Sequence, residues 1–224
     1  MMAMTDALKD VIAGIGALRR DYEHRRAAAG DALSAELGTV LALLDRVDFT
    51  RPDEDEFRPS GHGVTRHLLG ELPSRNGTVA DVLGAFRPLF AALPWRYGYE
   101  PRADMPGLDN AMAWAEFVGP LAPFRSDKVC LGITAIGPNT RYHEHCHPAV
   151  ESYYVLSGTA RWTAAGVTHE REPGWFTLHP SNIVHAMETG DEPLVAAYTW
   201  TGDVETPSSF AGEAAPVPLH QPDR

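Results

Sequence analysis

Between residues 128 and 201 the sequence breaks into seven short runs rich in Val, Ile, Thr, Tyr and Trp, separated by Gly, Pro and Asn. They fall at 128–136, 151–156, 159–164, 167–170, 175–178, 183–188 and 194–201. Many short strands at close spacing bury their apolar faces by stacking into a sandwich or closing into a barrel. What precedes them follows another period. Leu8, Val11, Ile12, Ile15 and Leu18 recur at three- and four-residue spacing behind Thr5, a residue type that caps helices. Leu37, Val40, Leu41 and Leu44 predict a second helix over 33–47. Val79, Val82, Leu83 and Phe86 predict a third, capped by Thr78 and bent or ended by Pro88. The charged, proline-punctuated stretch 51–60 reads as a linker. Helices first and strands after make an α+β chain with one β core. The expected organisation is a helical extension over 1–124 packed on a barrel over 125–205, with a poorly ordered, proline-rich tail over 206–224.

A net charge of −11 argues against nucleic acid as a partner, because phosphates demand a basic face. No apolar run reaches the 18 or so residues of a membrane span, so no membrane partner is expected. The first twenty residues mix Asp6, Lys9 and Asp10 among their apolar positions and lack the order of a signal peptide. The expected location is the cytoplasm. Cys130 and Cys146 are too few for a disulfide framework and read as free thiols.

Six of the ten histidines lie between His143 and His185. The densest stretch runs Tyr142-His143-Glu144-His145-Cys146-His147 and continues to Glu151 and Tyr153. Alternate side chains of a strand share a face, so His145 and His147 point the same way. After a turn at Pro148, Glu151 and Tyr153 share a face of the next strand. Two imidazoles and a carboxylate inside a barrel suit one divalent transition metal: Zn, Fe, Mn, Ni or Co. His185 is the fourth candidate ligand, re-aimed into the barrel by the turn cluster Pro180-Ser181-Asn182. Alternation alone leaves open whether His143 with His145, or His145 with His147, forms the ligating pair. Cys146 and Glu144 have the opposite parity. His169 sits in a polar run and is expected at the surface, whereas His179 ends a strand near the ligands.

The pattern His145-x-His147-x3-Glu151-x6-Gly158 resembles the first motif of the cupin superfamily, and Gly174 through His185 a divergent second one. Two departures are an upstream glycine, Gly137, that lies further away than usual, and Asn182 in the second motif's turn. More specifically, His145, His147, Glu151, Tyr153 and His185 together resemble the cupin-type dimethylsulfoniopropionate lyases. Tyr142 matches a tyrosine position in part of that family. The helical extension ahead of a single cupin barrel (a double-stranded β-helix or jelly roll) is similar to the branch called DddL.

The resemblance implies a small zwitterionic substrate with a carboxylate, two methylenes and a dimethylsulfonium. Elimination would release dimethyl sulfide and leave acrylate. The implied roles are a metal on the carboxylate, Tyr153 as the base and Tyr142 as its orienting partner or alternative. The aromatic faces of Trp162, Trp175, Tyr198 and Trp200 are candidates for the sulfonium, since soft cations favour π faces. Another cupin enzyme, such as an iron-dependent dioxygenase on a small acid or thiol, and a non-catalytic small-molecule binder are the alternatives. Cupins commonly pair, so a homodimer is expected, with the N-terminal helices serving as interface or as lid. If they form a lid, Trp95, Tyr97 or Tyr99 reaches into the barrel.

Overall fold

The structure, a computed structural model, describes residues 5–28, 31–75 and 77–213. Helix α1 (Asp6–Ala28) buries Leu8, Val11, Ile15 and Leu18, and Thr5 Oγ1 accepts a hydrogen bond from the Leu8 N–H. Helix α2 (Ala32–Leu44) begins at Asp31, whose carboxylate accepts from the Ser34 N–H, and buries Leu37, Val40, Leu41 and Leu44. In α3 (Thr78–Phe86) Thr78 is the first helical residue, and Gly77 stands at the cap without a side-chain bond. Past Phe86 the chain tightens into a 3-10 turn (Arg87–Ala92) that takes Pro88 near its start, where a missing N–H leaves nothing unpaired. The expected linker is pinned rather than free, because Arg125 pairs with Asp53 and Glu56. Among the described residues no helix is long and apolar enough to cross a membrane.

Eleven strands follow among the described residues: β1 (Met112–Gly119), β2 (Phe124–Arg125), β3 (Val129–Ile136), β4 (Arg141–Cys146), β5 (Val150–Ser157), β6 (Ala160–Ala164), β7 (Val167–Arg171), β8 (Phe176–His179), β9 (His185–Thr189), β10 (Leu194–Thr201) and β11 (Ser209–Phe210). One sheet has the order β2-β1-β3-β10-β5-β8 and the other β11-β4-β9-β6-β7. The seven predicted runs are all strands, with ends displaced by two residues at most.

Two expected boundaries need correction. The barrel begins at Met112 rather than 125, since β1 pairs with β3 from Met112 opposite Ile136 onward. Its sequence, MAWAEFVG, is buried on both faces and so lacks a clean polar alternation. The tail is also structured at its start: β11 lines up beside β4, with Ser209 opposite Cys146 and Phe210 opposite His145. From 214 on the expected tail lies outside the described residues.

The six-stranded sheet divides the apolar interior in two. On its outer face Leu18 and Tyr22 of α1, Leu37 of α2 and Phe86 of α3 pack with Ala113, Ile133, Ala197 and Tyr154. On its inner face, between the sheets, lie Cys130, Tyr153, Tyr198, Trp162 and Met187. The helices therefore cover the back of this sheet and do not cap the barrel mouth. Trp95 goes with them, its indole N–H donating to the Phe90 carbonyl at 2.7 Å.

Polar contacts also tie the layers together, Thr201 of β10 donating to Glu36 of α2 and Tyr154 of β5 reaching α1. The Tyr154 hydroxyl donates to the buried Asp21 carboxylate of α1, and its ring stacks on Phe176 with centroids 4.1 Å apart. Removing that hydroxyl strands a buried carboxylate, which costs more than the bond itself contributes. Tyr154→Phe is expected to lose about 1.5–3 kcal/mol of stability. The measurement is a urea titration, in which the midpoint falls with little change in slope.

Candidate active site

The functional side chains converge from both sheets at one end of the barrel. His145 of β4 stands opposite His185 of β9, and His147 follows β4 directly. Glu151 enters from β5, flanked by His179 on β8 and Trp200 on β10. Asn182 takes a left-handed conformation (φ 61°) that an asparagine tolerates, and its N–H donates to the His147 carbonyl at 2.8 Å. The turn ahead of His185 is thereby fastened to the backbone of His147. This gives the Asn182 departure from the cupin pattern a physical role.

His147, Glu151 and His185 are buried, and their ligand atoms all lie within 4.8 Å of one another. Glu151 Oε2 is 3.0 Å from His147 Nε2 and 3.3 Å from His185 Nε2. The rings are oriented by the backbone. Nδ1 of His145 meets the His143 carbonyl at 2.8 Å, that of His147 the Ala149 carbonyl at 3.1 Å, and that of His185 the Ile183 carbonyl at 3.0 Å. A carbonyl only accepts, so each Nδ1 carries the proton and a neutral ring turns its Nε2 lone pair inward. The lone pairs of His147 and His185 then face a carboxylate oxygen, acceptor against acceptor. His185 Nε2 is buried without a hydrogen-bond partner. A cation among the three relieves this repulsion, and a divalent metal fits the donor set. His145 stands at the edge of the triad, its ring centroid 4.0 Å from that of His185, and burial drives its basicity well below the ordinary histidine value.

The carboxylate is held from behind as well. The Trp162 indole N–H donates to His179 Nε2 at 3.1 Å, which leaves the proton on Nδ1 to be donated to Glu151 Oε2 at 3.2 Å. Burial pushes His179 down to about 4, so the ring is neutral near pH 7, as this relay requires. The Trp200 indole N–H donates to Glu151 Oε1 at 2.7 Å, and its ring lies over His147 with centroids 4.2 Å apart.

In front of the triad opens a cavity of about 530 Å³, a size that takes a small organic molecule. Tyr142, Tyr153 and Tyr198 line it, together with Tyr97, Tyr99 and Trp114. Tyr142 stacks on His145 with centroids 3.8 Å apart, and its hydroxyl is hydrogen-bonded to that of Tyr99. Burial, reinforced by the Glu151 charge, pushes the Tyr153 phenol well above its ordinary value; burial and Tyr99 do the same to Tyr142.

The profile of the dimethylsulfoniopropionate (DMSP) lyase family matches residues 38–196. The chain belongs to the DMSP lyase family. Members are enzymes that break a carbon–sulfur bond. The chain is 32% identical over 169 residues to the protein of Cereibacter sphaeroides assigned as DMSP lyase DddL, covering 74% of this chain and 69% of that one. It is 33% identical over 129 residues to DMSP lyase DddQ of Ruegeria pomeroyi, covering 57% of this chain and 64% of that one. The crystal structure of DddQ from Ruegeria pomeroyi superposes with a TM-score of 0.74 at 26% identity, covering 92% of this chain and 98% of that one. The fold is that of the cupin-type DMSP lyases.

In this DMSP lyase-family chain the structure brings together most of the residues predicted for the site, but not all. His143 is half-buried and outside the triad, and His145 takes the inward place. Alternation could not decide this because all three histidines share one parity; the register slip of β4 between Tyr142 and His145 breaks that parity and puts two residues three apart on one face. Trp162 and Trp175, expected to line the cavity, do not. Trp162 is 2% exposed behind Glu151, serving His179. Trp175 is 45% exposed, with the Arg171 guanidinium 4.5 Å over its ring. Tyr198 and Trp200 do line the cavity. Sequence reasoning missed Trp114 and Glu116, both on the wall; the one signal was a lone acid inside the apolar MAWAEFVG. Tyr97 and Tyr99, from the segment ahead of β1, line the cavity, whereas the helices pack on the back of the sheet.

Metal retention tests the triad. His185→Ala is expected to strip a divalent ion from the purified protein, and His143→Ala to leave it in place. Trp200→Phe, which removes the donor to Glu151 Oε1 and trims the ring over His147, should weaken the metal by about 10–100-fold. Metal analysis after dialysis against a graded chelator reads all three.

Proposed function

We propose that this chain cleaves dimethylsulfoniopropionate to dimethyl sulfide and acrylate by β-elimination. One divalent metal (Zn, Fe, Mn, Ni or Co) is held by His147, Glu151 and His185, with His145 beside them. The observation that carries this reading is the pair of buried tyrosines, Tyr153 and Tyr142, on the wall of the cavity that opens onto the His–Glu triad. Membership of the DMSP lyase family supports it.

The hydrogen α to a carboxylate is weakly acidic, so elimination needs a base and a sink for negative charge. A bound divalent ion supplies Lewis-acid stabilisation of the carboxylate as charge develops there and favours an adjacent phenolate. Tyr153 is the base. It shares the inward face of β5 with Glu151, two residues away, and its ring meets Trp162 edge-on with centroids 4.9 Å apart. As phenolate it takes the α-proton, the electron pair of the C–H bond forms the double bond, and the C–S pair leaves with sulfur as neutral dimethyl sulfide. Tyr142, stacked on His145 and paired with Tyr99, orients the carboxylate end. Tyr97, Tyr99 and Trp114 face the cavity with apolar surface that excludes water and receives the sulfonium methyls.

Headspace dimethyl sulfide from metal-loaded protein and substrate is the direct test. Tyr153→Phe should lower its release by about 10²–10⁴-fold, the usual worth of a general base, with metal content unchanged. Near-normal release from that variant would overturn the assignment of the base.

A further inference from the structure

The cavity has a second charged group, away from the triad. Glu116 of β1 stands opposite Gly132 of β3, Gly132 opposite Tyr198 of β10, and Tyr198 opposite Tyr153 of β5. This row is the inward neighbour of the row that carries Glu151, Trp200 and Cys130. About 14 Å of sheet separates the backbones of Glu116 and Tyr153, at about 4.8 Å per strand. The Tyr198 ring spans part of the interval. It lies across Gly132, where a Cβ would come within 2.7 Å of Cε1, and its hydroxyl donates to Glu116 Oε2 at 3.2 Å.

The other carboxylate oxygen lies over Gly119, where a Cβ would meet Oε1 at 2.2 Å. Two glycines thus make room for one acid and for the phenol that holds it. The cation on the same wall, Arg96, gives its guanidinium to Glu56 at 2.8 Å. Among the described residues no ion pair joins Glu116 to a cation. Burial pushes its carboxyl up to about 7. Its other polar partners are the Cys130 thiol and the Leu121 backbone, and Arg96 acts on it without pairing, so the buried charge is only partly offset; a glutamine could still accept from Tyr198. What glutamate adds is negative charge, on the wall of a cavity that Trp114 and Tyr97 also line.

We propose that Glu116 is a specificity-determining residue that receives the cationic end of the substrate, selecting a sulfonium zwitterion over a neutral-tailed acid of the same shape. The inference rests on the lyase reading for the identity of the substrate. The charge at Glu116 and the metal triad then act on the two ends of one molecule. Tyr153 lies in the same cross-sheet row as Glu116, one row over from Glu151.

The test compares the metal-loaded full chain with Glu116→Gln, which keeps shape and acceptor, and Glu116→Asp, which keeps charge. Glu116→Gln is expected to raise KM for dimethylsulfoniopropionate by about 10–100-fold with kcat little changed, a loss of the size that unpairing a desolvated charge produces. Inhibition by 4-methylpentanoate, the carbon isostere with a neutral tail, should hold or tighten, and Glu116→Asp should recover part of the KM. A second arm is calorimetry with 3-(trimethylammonio)propionate and its neutral counterpart 4,4-dimethylpentanoate. The wild type should prefer the cation and Glu116→Gln should not. Equal weakening of charged and neutral ligands, a fall in kcat with KM unmoved, or an unchanged preference overturns the proposal. If the wild type releases no dimethyl sulfide the lyase reading fails, and the calorimetric pair still decides the role of Glu116.

Discussion

Everything at the functional end of the barrel is organised around one buried carboxylate. Glu151 Oε2 is approached by His147, His179 and His185, and Oε1 by Trp200. An ionised carboxylate in a dry interior is costly unless its lone pairs are met. Donors from β8 and β10 meet two of them, and the two imidazoles from the opposite sheet complete a set that a cation would share. Those elements are far apart in sequence, and closing two sheets over one another is what brings them within reach. His179 and Trp200 fix where the carboxylate points, and the carbonyls behind His147 and His185 fix which ring nitrogen each presents. The protein itself orients these donor atoms, a set that could hold a metal ion.

Much of this was legible in the sequence because the strands obey their period. The runs containing Tyr153 and Tyr198 alternate between a helix-covered face and the barrel interior, so strand existence, extent and the inward direction of Glu151 and Tyr153 follow from parity. The helical stripe of Leu8, Val11, Ile15 and Leu18 was equally plain. The turn cluster Pro180-Ser181-Asn182 pointed to His185, and the resemblance to the cupin lyases added Tyr142.

What escaped the sequence did so for identifiable reasons. A register slip in β4 breaks parity between Tyr142 and His145, and no residue type marks a slip of that kind. Aromatic residues are equally good at packing and at binding cations, so Trp175 on an exposed edge and Trp162 behind the carboxylate looked no different from Trp200. β1, buried on both sides, gave no alternation to read, and with it went Glu116. Its place opposite Gly132 depends on pairing between distant strands, which local pattern does not carry.

The contact between Tyr154 and Asp21 has a consequence for how the molecule can be divided. β5 presents Glu151 and Tyr153 to the cavity and Tyr154 and Leu156 to the helices, so a single strand is shared by the chemistry and by the outer layer. A minimal barrel cut at Met112 would turn that outer face, with Ala113, Ile133 and Ala197, toward water. It would also leave the Tyr154 hydroxyl without its acceptor. The N-terminal helices are thus a splint along the working strand, and the catalytic unit cannot be trimmed to the barrel alone.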